Sequence, residues 1–192
     1  MHPLTHLLAS WNVARIGVQD KRDALIVTTA GIAPDVDGLG FFAELFSRDT
    51  AHPLYWYSDY HHVLLHNLGG ALAAAAVAML CGLRRGRTAL LALLTFHLHL
   101  LCDLVGSKSA DGYHWPIPYL EPFSSSWQWS WRGQWRLTAW PNVLFTVLLI
   151  ALTLYLDWRG GESLLGLFSK RANRALISTL RRRVGTPRGV NK

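Results

Sequence analysis

Three stretches of this chain are apolar at the length of a lipid bilayer, and they limit what it can fold into. Residues 63–83 (VLLHNLGGALAAAAVAMLCGL) carry no formal charge, residues 88–105 (TALLALLTFHLHLLCDLV) carry only Asp103, and residues 139–157 (AWPNVLFTVLLIALTLYLD) are uncharged until Asp157. A helix needs about 20 predominantly apolar residues to cross the hydrocarbon core. The first and last stretches meet that length, and the middle one falls slightly short. A fourth run, residues 24–34 (ALIVTTAGIAP), is too short to cross and ends on Pro34. It reads as a partly inserted or core helix. The expected fold is all-α: an integral membrane helical bundle of about three spanning helices, with this short N-terminal partly inserted helix and a C-terminal amphipathic helix. Met1–Trp11 has no basic segment ahead of an apolar run, so no secretory signal is expected.

Charge divides the chain in two. The 192 residues are 51% hydrophobic with a net charge of +7, which excludes a disordered chain. Two cysteines, Cys81 and Cys102, exclude a disulfide scaffold or a Cys-rich zinc module. From Arg159 onward there are nine cations and one anion, Glu162, whereas residues 1–158 hold 10 cations and 11 anions. The expected organisation is a membrane-embedded body over 1–158 and a basic tail over 159–192. Leu164, Leu165, Phe168, Ala172, Leu176, Ile177, Leu180 and Val184 recur at helical spacing among the tail cations. That pattern predicts a basic amphipathic helix lying on the inner leaflet, with anionic lipid as its partner. Nucleic acid is the competing partner for such a tail, and the topological reading is preferred.

Cations collect on the cytoplasmic side of membrane proteins. The turn 84–87 (RRGR) holds three cations, the loop 106–138 balances Lys108, Arg132 and Arg136 against Asp111 and Glu121, and residues 1–62 hold four cations and seven anions. One topology satisfies this: 1–62 outside, 84–87 inside, 106–138 outside, tail inside, giving a multi-pass inner-membrane protein with a cytoplasmic C-terminus. Trp127, Trp129, Trp131, Trp135 and Trp140 crowd the approach to the last span. They fit either an interfacial aromatic belt or a lid packed over the outer face.

Ionisable groups at membrane depth are costly and mark functional positions. Four groups occur: Thr5-His6; Pro34-Asp35-Val36-Asp37; His61, His62 and His66; and His99-x3-Asp103. On a helix, His62 and His66 share a face, as do His99 and Asp103, while His61 is offset from His66 by about 140°. The expected topology brings all four groups to one membrane face. Imidazole with carboxylate suits zinc, with manganese or iron as alternatives, and two or three ions would engage bridging Asp residues. Each group alone has another reading. An HxxxD pair can line a pore, PDVDG can form an Asx turn, and a His pair can ligate haem. His2, His52 and His114 are read as incidental, His97 as a satisfied core residue rather than a ligand, and Cys102 as packing.

The order of these motifs, followed by Pro122-Phe123, resembles the YdjM family of inner-membrane proteins, whose pattern runs TH…PDxD…HRGxTHS…SHxxxD…PF. The resemblance covers about residues 1–157. It implies a metal-dependent hydrolase, with metal-site roles for His6, Asp35, Asp37, His61, His66, His99 and Asp103. Where the family continues Arg-Gly, this chain has His62-Val63, so His62 is an alternative to His61. The family is in turn similar to zinc-dependent phospholipases C and single-strand nucleases. That similarity implies phosphoester hydrolysis, with a phospholipid head group as substrate and Asp35 or Asp37 bridging ions or acting as general base. The competing functions are a haem-binding membrane electron carrier and a non-catalytic membrane adaptor working through the basic tail.

Overall fold

The fold is described from a computed structural model covering residues 1–187. Arg188 and Lys192, counted above among the tail cations, lie outside the described residues. The helices are α1 (Pro3–Gly17), α2 (Lys21–Ala30), α3 (Gly40–Ser47), α4 (Trp56–Tyr60), α5 (Leu68–Cys81), α6 (Arg85–Gly106), α7 (Trp140–Gly160) and α8 (Lys170–Val184), with 3-10 turns at Pro34–Leu39 and Leu164–Leu167. Among the described residues there is no β-strand, only two isolated backbone bridges, Lys108 with Arg136 and Ile117 with Trp129. The all-α expectation holds.

α6 and α7 are long and apolar enough to cross a membrane. At 1.5 Å per residue, 22 and 21 residues reach about 30 Å. The stretch expected to span from residue 63 forms only the 14-residue α5. Residues 63–67 are diverted from the helix because Asn67 caps α5, accepting a hydrogen bond from the Gly70 N–H at 2.9 Å. α2 and the segment Pro34–Ser47 are together apolar enough for a further crossing, but they are bent by 62°. Pro34 lies at that bend.

The largest departure from expectation is α1. The sequence reading placed residues 1–62 at one end of the body, yet α1 and α2 form a hairpin running its length. Thr5 meets Thr146 near the start of α7, and Trp11 donates to Asp157 near its end, at 3.0 Å. The turn after α1 joins the tail end of the molecule. There Lys21 pairs with Glu162 at 3.0 Å, and Asp23 accepts from the Leu83 and Arg84 N–H groups at 2.7 and 3.2 Å. α2 then returns, and Gly31 reaches α6 at His99. Arg15, Lys21 and Arg22 therefore lie with Arg84, Arg85, Arg87 and the tail cations among the described residues at one end. Arg48, Lys108, Arg132 and Arg136 lie at the other.

α1 escapes a hydropathy reading because polar side chains are set into its inward face, and α2 buries two more. Thr5, His6, Ser10, Asn12, Asp23 and Thr28 are all buried, while Leu72, Leu80, Leu90, Leu101, Val143 and Leu148 lie exposed on the outer helices. Between these layers the apolar core is built largely of small side chains, Ala30, Ala78, Ala89 and Ala92, which let backbones approach closely. Gly31 is the extreme case. A Cβ there would lie 1.9 Å from Ser10 Oγ and 3.0 Å from Thr95 Cβ.

At the other terminus, α7 ends on Gly161 in the left-handed region (φ 71°), and Ser169 caps α8. α8 turns Ile177 and Asn173 inward and leaves Arg171, Arg174, Arg182 and Arg183 exposed. Leu164 and Leu165, expected within the same helix, belong to the separate 3-10 turn.

Candidate metal centre

Four separate segments deliver ionisable side chains to the end of the bundle opposite the tail. α1 supplies His6. The 3-10 turn supplies Asp35 and Asp37, the loop before α5 supplies His61, His62 and His66, and α6 supplies His99 and Asp103. His99 and Asp103 converge as their i,i+4 spacing predicts, Nε2 to Oδ2 at 3.0 Å. His62 and His66 are not on a helix. His62 adopts a left-handed backbone (φ 68°), and the loop nevertheless stacks the two rings with centroids 4.4 Å apart.

Asp103 is the hub. Its Oδ1 lies 3.1 Å from His6 Nε2, and its Oδ2 lies 3.0 Å from His99 Nε2 and 3.5 Å from His66 Nε2. Asp35 Oδ1 approaches His99 Nε2 at 3.6 Å, and the Nε2 atoms of His66 and His99 are 3.3 Å apart. Two sets of donor atoms fall within 4.8 Å of one another: His6, Asp35, His99 and Asp103; and His62, His66 and Asp103. Zinc bonds of about 2.0–2.2 Å at tetrahedral angles put two ligand atoms roughly 3.3 Å apart. The observed separations of 3.0–3.6 Å bracket that spacing.

The unpartnered atoms point the same way. His6 is 1% exposed, yet neither ring nitrogen makes a hydrogen bond, and Asp103 Oδ2 and Asp35 Oδ2 are buried without one. Buried polar atoms are otherwise almost always paired. The donor set therefore fits a divalent cation. His62 Nδ1 is also buried and unpaired. Burial lowers the His62 pKa to about 3. That keeps its imidazole neutral and able to ligate.

Other contacts hold the donors in place. Asp37 accepts from His61 Nδ1 at 2.8 Å through one oxygen, and from His66 Nδ1 at 3.0 Å and the Leu65 N–H at 3.3 Å through the other. Asp37 and His61 thus lie outside both donor groups and brace His66, whose Nε2 is left facing Asp103. His99 is fixed likewise by its Nδ1, which donates to the Gly31 carbonyl at 2.9 Å. The Met1 amino group contacts Asp103 and Ser107 Oγ, and Ser107 Oγ donates to Asp103 Oδ1 at 2.8 Å.

Three further residues were not singled out from sequence. Trp115 packs on His62 with centroids 4.6 Å apart, and the buried Gln134 amide donates to the Asp103 carbonyl at 2.9 Å while accepting from the Trp115 N–H. These two fold the 107–139 loop over the end of α6, and Ser107 begins that loop. Nothing in their local sequence marks them. The loop tryptophans divide: Trp129 stacks on Tyr119 at 4.2 Å, while Trp127, Trp131 and Trp140 stay exposed.

The YdjM inner membrane protein family model matches residues 1–178. The chain belongs to the YdjM family. The match takes in all four ligand-bearing segments and reaches into α8, further than the motifs alone extend. No curated protein and no solved structure matches the chain. Among the described residues, this YdjM protein brings every residue singled out from sequence for the metal site into one cluster. Six are candidate donors and two, Asp37 and His61, support them.

Proposed function

We propose that this YdjM protein is a membrane-bound, metal-dependent hydrolase of phosphoesters such as phospholipid head groups. The observation that carries this reading is the convergence of four imidazoles and two carboxylates on one point, with five of their buried polar atoms unpaired. His6, Asp35, His99 and Asp103 would hold one divalent ion, with zinc as the first choice. His62 and His66 would hold a second beside it, Asp103 lying between the two. When bound, such ions activate water near neutral pH and neutralise phosphoryl oxygens.

The chain's own groups supply the rest. Asp37 and the Gly31 carbonyl hold His66 and His99 in the tautomers that present Nε2. Asp35 is the only one of the three carboxylates that is partly open, at 24% side-chain exposure, and it lines the cavity of about 420 Å³ above the cluster. It acts as the general base. Water adds its oxygen to phosphorus and gives a proton to Asp35, the phosphorus–oxygen bond to the alcohol breaks, and the proton passes to the departing oxygen. Asp37 is relieved of that role because both its oxygens are engaged.

The mixture of carboxylates and imidazoles favours this reading over a haem carrier, which would leave Asp35, Asp37 and Asp103 without a role. The test is elemental analysis of purified full-length protein with a phosphoester screen. Zinc or manganese bound in stoichiometric amount and hydrolysis abolished by chelator are expected. Metal-free protein with unchanged stability in chelator refutes the reading.

A further inference from the structure

Three recesses meet at the cluster. The central cavity, about 420 Å³, is bounded by Asp35, His61, His62 and Asp103, with Phe41 and Trp115 above them. A second recess of about 450 Å³ shares Pro3, Asp35 and Leu39 with it and is otherwise lined by Leu4, Leu7, Ile32 and Val36. Apart from Asp35 that lining is apolar, and it lies on the bundle surface between α1 and the 3-10 turn. A third recess of about 270 Å³ shares His61, His62 and Trp115 with the central cavity. Its lining includes Ser58, Tyr113, Glu121 and Gln128.

We infer that the substrate is an amphiphile bound across all three: a membrane phospholipid with one acyl chain in the groove between α1 and Pro34–Leu39, its phosphoester at the His/Asp cluster, and its head group toward Glu121. The proposal rests on the phosphoester-hydrolase reading and adds the two subsites that select an intact phospholipid over other phosphoesters. A water-soluble phosphoester would leave the apolar arm unused. A neutral lipid would leave the cluster and the polar arm unpaired. The only charged side chain lining the third recess beyond the histidines is Glu121, which selects head groups ending in an ammonium or hydroxyl donor. The groove's single acidic wall, Asp35, is shared with the reacting site, so a chain lying there brings its phosphate to the cluster. The central cavity and the groove are in the size range of small-ligand pockets, about 300–1,000 Å³, and the third recess is slightly smaller.

The test uses purified full-length protein with two readouts. The first is kcat/KM on phosphatidylethanolamines of increasing chain length, for wild type, Leu4→Trp and Leu7→Trp. Wild type gains about tenfold for every two methylenes the groove covers, and both variants flatten that dependence. A preference that both variants leave intact overturns the proposal. The second readout does not depend on turnover: native mass spectrometry of the detergent-solubilised protein after delipidation. Wild type retains one phospholipid, the two variants lose it, and Glu121→Gln weakens retention of phosphatidylethanolamine more than of phosphatidic acid. Equal retention by wild type and variants overturns the groove. Retention that behaves as expected without hydrolysis of any phosphoester keeps the lipid site and refutes the hydrolase reading, so the two failures are distinguishable.

Discussion

Replacing Asp37 by Asn separates a metal ligand from a group that braces one. Its two oxygens carry three hydrogen bonds, to His61 Nδ1 at 2.8 Å, His66 Nδ1 at 3.0 Å and the Leu65 N–H at 3.3 Å. Because a carboxylate only accepts, both imidazoles hold their proton on Nδ1, and His66 keeps a lone pair on the Nε2 that faces Asp103. An amide has one accepting atom. The Leu65 N–H and His66 share the same oxygen, so the amide oxygen stays with that pair and its NH2 turns to His61. His61 must then change tautomer, whereas His66 keeps its own and loses only the charge-assisted part of its bond.

Loss of such a supporting partner weakens metal binding by about 10–100-fold, and Asn belongs at the lower end, about tenfold or 1.4 kcal/mol. Asp37→Ala removes both supports and belongs at the upper end, about 2.8 kcal/mol. Zinc titration against a chromophoric chelator measures both affinity and stoichiometry. The expected result is weaker binding with the full number of equivalents. If Asp37→Asn instead loses a whole equivalent, as His99→Ala should, Asp37 is itself a ligand. If neither Asp37 variant changes affinity, the bracing argument fails.

Other consequences can be measured separately. Asp103→Ala removes the one carboxylate common to both donor groups, so bound metal should fall further than in any single His→Ala variant by elemental analysis; unchanged metal content would exclude Asp103 as the hub. Gly31→Ala forces a Cβ against Ser10 and Thr95 and should cost about 1–3 kcal/mol, read as a lower melting temperature in detergent, whereas a neutral effect would mean the α1–α2–α6 crossing is looser than described. With Cys81 replaced by Ser, Gln19→Cys should resist a membrane-impermeant thiol reagent in intact cells while Ser125→Cys is labelled; the opposite pattern would reverse the orientation expected from the cations.

Legibility in the sequence followed physical contrast. α6 and α7 were readable because each holds a long, predominantly apolar run, and the exposed faces of both are apolar. The His99–Asp103 pair was readable because helical geometry fixes i,i+4 neighbours. α1 was not, since Thr5, His6, Ser10 and Asn12 depress its hydropathy and only tertiary partners explain them. Thr5 meets Thr146, Asn12 donates to the Leu149 carbonyl at 3.3 Å, and Thr153 donates to Asn12 at 2.9 Å. The His62–His66 pairing was expected from a helix that does not form there. A loop wrapped around Asp37 achieves it instead, and no local periodicity encodes such a loop. Trp115 and Gln134 act through the fold of a long connection, so their sequence neighbours carry no signal of the site.

The polar inward face of α1 would make a metal-loaded cluster a clasp between helices. Lipid alone would not retain a helix bearing Thr5, His6, Ser10 and Asn12; its partners on α7 do. His6 stacks on His99 with ring centroids 3.7 Å apart but leaves both ring nitrogens without a hydrogen bond, so an ion tying it to Asp103 would add to that retention. An ion held between α1 and α6 binds the closed bundle and not the opened one, so it stabilises closure by mass action. Withdrawing it would loosen α1 along its length, as far as the Trp11–Asp157 contact at the tail end. Metal supply at one end of the bundle would thereby be felt, through a single helix, at the other.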